Sequence, residues 1–173
     1  MAKTTNKTAE YANILRQADI FYDLTMPQLE RVAALCSEST PKNGEIIFEE
    51  NSTSDELYVI ASGAVEILVN PALVQPNATG QSPGPKVIAT IRRGQTFGEV
   101  TLVDQGLRSA SARCAAKKTR LLIVPSNQLI GLCDADSDLG YRLMRNVAAD
   151  LAFKIRGTDL VIREQLLWGP RSK

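Results

Sequence analysis

From Gly44 onward the apolar residues come in short runs rich in β-branched and aromatic side chains: Ile46-Ile47-Phe48, Leu57-Tyr58-Val59-Ile60, Val65-Glu66-Ile67-Leu68-Val69, Val87 to Ile91, Ser109 to Cys114 and Leu121 to Val124. Asn43-Gly44 and Ser62-Gly63 punctuate the series. Runs this short, bounded by turn residues, read as strands rather than helices, and their regular spacing predicts an antiparallel barrel or sandwich. Between Asn70 and Lys86 stand Pro71, Pro76, Pro83 and Pro85 with Gly80 and Gly84, so this segment is expected to be an exposed hairpin loop.

Helical patterns flank the strands. Ile14, Leu15 and Ala18 share one periodicity; after the break at Asp23-Leu24-Thr25 it resumes with Leu29, Val32, Ala33, Leu35 and Cys36. Thr25 is placed to cap the second helix, with Pro27 in its first turn and Gln28 as capping-box partner. After Pro125 come Leu129 and Leu132, then Leu139, Leu143, Val147, Leu151 and Ile155 at steps of four. Gly157 is expected to interrupt this pattern before Leu160, Ile162, Leu166, Leu167 and Trp168 continue it.

A chain of 173 residues buries one core, so a single domain spanning 1–173 is expected. Composition removes several functions. Twenty lysines and arginines against 19 acids leave no bulk attraction toward nucleic acid or anionic membrane. Histidine is absent, and with it the commonest general base and neutral metal ligand. Cys36, Cys114 and Cys133 lack metal-knuckle spacing and read as small buried residues. With no HxxxH, Ser-His-Asp or carboxylate cluster, the chain reads as a non-enzyme without metal or cofactor; Asp134, Asp136 and Asp138 read as solvated or capping residues. The polar start and the lack of a membrane-length apolar stretch point to a cytoplasmic setting without membrane attachment.

The stretch from Gly94 to Ser111 interrupts the strands with a short helical turn, and places one acid, Glu99, and one arginine, Arg108, on a compact loop. A carboxylate can accept from ribose hydroxyls, while a guanidinium supplies forked donors and positive charge to a phosphate. Gly98 allows the backbone to approach a ligand closely.

Phe97-Gly98-Glu99 followed by Arg108-Ser109-Ala110 resembles the phosphate-binding cassette of the cyclic nucleotide-binding domain family. That family includes the catabolite activator protein, the regulatory subunits of protein kinase A and cyclic-nucleotide-gated channels. Glu99 and Arg108 stand nine positions apart, as in the kinase and channel members. Asp55 to Ile60 with Ser62-Gly63 resembles the family's paired strands and glycine turn, and Gly44 to Ile47 and Gly94 to Phe97 match its punctuation. Leu107 stands where many members have proline and Thr101 where alanine is common; neither change removes a ligand contact.

The resemblance implies an α+β, mainly β fold: an antiparallel β-roll (a double-stranded β-helix, jelly-roll-like) over about 44–125, carrying a short cassette helix. Two N-terminal helices over about 8–37 and C-terminal helices over about 126–168 would complete it. It further implies that Gly98 and Glu99 bind ribose and that Arg108, Ser109 and Ala110 bind the cyclic phosphate. Ile67, Ala89, Ile91 and Ser109 would lie beside the base, with Trp168 as its cap or as a dimer contact. The ligand is expected to be cAMP ahead of cGMP, and the terminal helices would fold over the base or pair in a homodimer. Ligand would set the placement of the Leu160 to Trp168 helix and signal to an effector protein not named by the sequence. DNA binding by this chain alone is not expected, because only Gly169 to Lys173 follow Trp168. The alternative is a ligand-free dimeric interaction module in which Glu99 and Arg108 form only an internal ion pair.

Overall fold

Two four-stranded antiparallel sheets make a β-roll, and the helices contribute to a core on the outer face of one sheet. The computed structural model describes residues 2–71 and 84–168. Helix α1 (Ala2–Leu15), a 3-10 turn (Asp19–Phe21) and α2 (Met26–Ala33) precede strands β1 (Ser37–Ser39), β2 (Ile46–Phe48), β3 (Glu56–Ser62), β4 (Ala64–Val69), β5 (Lys86–Arg92) and β6 (Thr96–Phe97). Helix α3 (Val100–Asp104), strands β7 (Ser111–Cys114) and β8 (Arg120–Pro125), and helices α4 (Ser126–Ala135) and α5 (Ser137–Trp168) follow. The sheet orders are β1-β8-β3-β6 and β2-β7-β4-β5. The antiparallel β-roll, the flanking helices and the short cassette helix are the architecture expected from the sequence. The Asn70 to Lys86 loop falls largely on residues 72–83, outside the described residues.

Strands β3 and β8 explain why their sequences are apolar without alternation. They pair with Leu57 opposite Val124, Tyr58 opposite Ile123, Val59 opposite Leu122 and Ile60 opposite Leu121. Leu57, Val59, Leu122 and Val124 pack outward against the helices with Leu15, Phe21, Leu29, Leu129, Leu139 and Leu143. The opposite face, Tyr58, Ile60 and Leu121, closes the roll with Val65, Ile91, Phe97 and Ala112. A strand covered on both sides has no polar face to show. Each such side chain gains about 1.5–3 kcal/mol from leaving water.

The turn between β3 and β4 depends on Gly63. Its φ is +88°, and a Cβ there would lie 2.6 Å from the Cα of Thr119. The helices are fixed by polar contacts at their ends. Gln28 Oε1 accepts from the Thr25 N–H at 2.9 Å, as the capping box requires, and Gln28 Nε2 donates to Asp138 at 3.0 Å. Asp136 accepts from the Leu139 N–H at 3.1 Å and so caps α5.

Several boundaries depart from the sequence expectations. Helix α1 begins at Ala2, and Ala18 belongs to the turn after it. Helix α2 stops at Ala33, so Leu35 and Cys36 lead into β1; the strand Ser-Glu-Ser carries no apolar alternation to announce it. The two-residue β6 was likewise not foreseen, and Ser109 and Ala110 precede β7 rather than belonging to it. Gly157 does not interrupt α5, which runs unbroken for 32 residues, because a single glycine costs a helix only about 1 kcal/mol. Cys114 and Cys133 are buried, whereas Cys36 is half-buried, with burial pushing its thiol up to about 12.

Glu38 joins three elements. From β1 it accepts from Arg120 of β8 at 2.8 and 2.9 Å and from the Tyr11 hydroxyl of α1 at 2.9 Å. Arg120 also pairs with Glu10 at 2.7 Å. The Arg120 bonds hold the Glu38 carboxyl at about 2, below its ordinary 4.5. Its contribution is therefore complete above the ordinary value and is lost as pH falls toward the folded one. Urea unfolding at neutral pH should show Glu38→Gln less stable by on the order of 1 kcal/mol, with the difference closing on acidification toward pH about 2.

Candidate functional site

Arg108 is 2% exposed, and its guanidinium lies inside the roll. Nε donates to Ser54 Oγ at 2.8 Å, Nη1 to the Gly98 carbonyl at 3.2 Å and to Thr101 Oγ1 at 3.1 Å. Nη2 donates to the Glu56 carbonyl at 2.8 Å and to its carboxylate at 3.3 Å. All five N–H donors of the group are thereby matched. The guanidinium also stands 4.1 Å from the ring centroid of Phe48, which clusters with Tyr58 and Phe97. Burial pulls the Arg108 pKa down, opposed by Tyr58 and Glu56, yet an arginine remains charged. The backbone is held too: Arg108 N–H donates to Ser52 at 3.0 Å and its carbonyl accepts from Asn51 at 2.8 Å.

Glu99 precedes α3 and is 4% exposed. It does not pair with Arg108. Its carboxylate accepts from Lys154 Nζ of α5 at 2.8 Å, and the same ammonium lies 2.8 Å from Asp150 and 3.4 Å from the Thr96 carbonyl. Burial opposes the charge on Lys154, but Glu99 and Asp150 outweigh it and leave the pKa raised. The ion-pair alternative thus fails in its particulars, since each charged residue of the cassette has a different partner.

Gly98 is fitted to this arrangement. Its φ is +81°, and a Cβ would stand 2.6 Å from Arg108 Nη1 and 2.7 Å from the Glu56 carbonyl. Ser109 is exposed and Ala110 half-buried on the following bend. Ile67 pairs with Ala89 and Val65 with Ile91 across β4 and β5. Strand alternation puts Ile67, Ala89 and Ile91 on one face, with Ile91 packed into the roll, Ile67 half-buried and Ala89 exposed. Trp168 ends α5, and its side chain lies outside the described residues. A cleft of about 470 Å³ opens between α3 and the start of α4, with Thr101, Leu102, Ser126 and Ile130 among its walls; neither Glu99 nor Arg108 lines it.

The roll, the cassette turn and the inward arginine agree with a family comparison: the model of the cyclic nucleotide-binding domain matches residues 40–136, more than half the chain. The chain belongs to the cyclic nucleotide-binding domain family. It is 27% identical over 146 residues to the cyclic AMP receptor protein of Thermus thermophilus, covering 84% of this chain and 61% of that protein. Against a cGMP-dependent protein kinase of Drosophila melanogaster it is 26% identical over 132 residues, 74% of this chain but only 13% of the kinase. The chain thus spans a part of each of these relatives. Among solved structures, a cyclic nucleotide-binding domain from Methylobacillus flagellatus superposes with a TM-score of 0.74 at 19% identity, covering 92% of this chain and 84% of that one, which shows the shared fold. Among the described residues no helix is long and apolar enough to cross a membrane, and no cluster of three or more His, Cys, Asp or Glu could hold a metal.

Sequence reasoning missed four residues of the site: Ser54, Glu56, Asp150 and Lys154. Asp150 and Lys154 are a helical i,i+4 pair, legible as such, but nothing in the sequence aims that pair at Glu99. Thr101, noted from the sequence only as standing where alanine is common, is a 4% exposed hydroxyl that accepts from Arg108 and donates to Gly98. Thr101→Val keeps its shape and strands one guanidinium donor, so chemical denaturation should find it less stable by about 1–3 kcal/mol.

Proposed function

We propose that this chain is a cyclic mononucleotide receptor, with cAMP the preferred ligand ahead of cGMP, that passes its occupancy to a protein partner through α5. The observation that carries this reading is a family cassette with both ligand-type charges intact and not spent on each other: Glu99 and Arg108 lie on one loop, each buried, each with its own partner. Glu99 and Gly98 would take the ribose, and Arg108, Ser109 and Ala110 the cyclic phosphate. Ile67, Ala89 and Ile91 would offer an apolar wall to the base, with Ser109, exposed on its bend, as a polar contact. The relatives named for cyclic AMP and cGMP support the ligand class and leave both nucleotides to be tested.

Helix α5 is the surface for output. Phe153, Ile155, Leu160, Val161, Ile162, Leu166 and Leu167 are all exposed on it. Such a face suits an effector protein or the same helix of a second copy.

One observation favours the second reading, a ligand-free dimeric module: every Arg108 donor is already satisfied within the chain. Calorimetry of nucleotide-free protein with cAMP and with cGMP separates the two. On the receptor reading heat is released, and Arg108→Lys, which keeps the charge but loses the fork, binds roughly tenfold to a hundredfold more weakly. Absence of heat with both nucleotides, together with self-association in sedimentation, would establish the module instead.

A further inference from the structure

Lys154 holds one oxygen of the carboxylate that, on the receptor reading, would receive a ribose hydroxyl. Its ammonium is 2.8 Å from Glu99 Oε1, and the Glu99 side chain is only 5% exposed. The carboxylate belongs to the cassette, whereas the cation comes from a helix 55 residues later in the chain. Lys154 is itself held by Asp150 one turn earlier and by the Thr96 carbonyl. It is also where the docking of α5 ends: Leu151, Ala152 and Lys154 are half-buried, and from Ile155 onward every α5 side chain among the described residues is exposed.

We infer that Lys154 is an internal competitor for the ribose carboxylate, so that nucleotide and the Lys154 contact exclude one another at Glu99. This rests on the receptor reading above and adds to it the residue that sets apparent affinity. A carboxylate oxygen already held by an ammonium at hydrogen-bond distance, as Oε1 is here, accepts weakly from a neutral hydroxyl, because the charged bond is roughly twice as strong. Ribose therefore enters when the ammonium leaves. Apparent affinity is the intrinsic affinity reduced by the fraction of molecules in which Glu99 is uncovered. Departure of the ammonium also breaks the bonds by which α5 reaches Glu99 and the Thr96 carbonyl, which couples occupancy of the cassette to the end of the helix. Asp150, left beside the vacated position, keeps the released ammonium paired one turn away from the site.

Lys154→Met retains the apolar stem and removes the charge. Calorimetry with cAMP and cGMP and amide exchange over residues 147–158 test the proposal on the full chain. Without nucleotide, K154M should exchange faster than wild type over that stretch, because the Glu99 anchor is gone. K154M should bind nucleotide about tenfold more tightly, the factor expected if the covered form outweighs the open one ten to one. Saturating nucleotide should raise wild-type exchange there to the K154M level. Equal or weaker binding by K154M overturns the competition, the weaker case making Lys154 a ligand contact. Slower wild-type exchange on binding overturns it as well. If neither protein binds either nucleotide, the receptor reading fails and the competition with it. The nucleotide-free exchange then stands alone: faster in K154M, Lys154 is an anchor only; unchanged, the anchor is overturned too.

Discussion

A guanidinium sealed from water is expensive unless every donor finds an acceptor, and the site is organised around that requirement at Arg108. Its acceptors come from three separate segments of chain: Ser54 and Glu56 at the start of β3, Gly98 before the cassette helix, and Thr101 within it. None of these can move far without leaving a buried charge short of a partner. The Phe48, Tyr58 and Phe97 rings close the apolar side of the same group. The conformation of a loop that contains a left-handed Gln105 and a left-handed Gly98 is thereby set from within.

The other charge of the cassette is held differently. Glu99 is almost as buried as Arg108, yet its cation arrives from α5 rather than from the roll. One half of the cassette is built into the β scaffold and the other half is tied to a helix. Packing of Leu139, Leu143 and Val147 against the helical core fixes the first part of α5, and Lys154 carries the attachment about two turns further. Along this single helix the apolar docking face gives way to the Lys154 link and then to solvent.

Much of this was legible in the residues. The strand series, the glycine turns, the capping box at Thr25 and the cassette motif all depend on local chemistry, and local chemistry is what a sequence displays. Strand β1 was hidden because its three polar residues show no apolar alternation, and their pairing with β8, including the Glu38–Arg120 bonds, spans more than 80 residues of sequence. The continuity of α5 through Gly157 is a matter of small costs outweighed along a long helix. The partners of Arg108 and Glu99 were beyond reach for a different reason. Ser54, Glu56 and Lys154 are ordinary polar residues whose meaning comes from long-range placement, and periodicity directed attention on α5 to its apolar stripe.

Beyond Lys154 the described residues of the helix are all exposed, and its own backbone bonds are the main thing that sustains it. The described residues there are exposed and add little burial to their backbone bonds, while Gly157 and the β-branched Val161 and Ile162 weaken the run. Isolated helices of this length sit near the helix–coil midpoint in water. The far end of α5 in the lone chain is consequently governed by solvent and temperature rather than by tertiary structure: cooling extends it and warming frays it back toward Lys154, while the roll beneath stays unchanged.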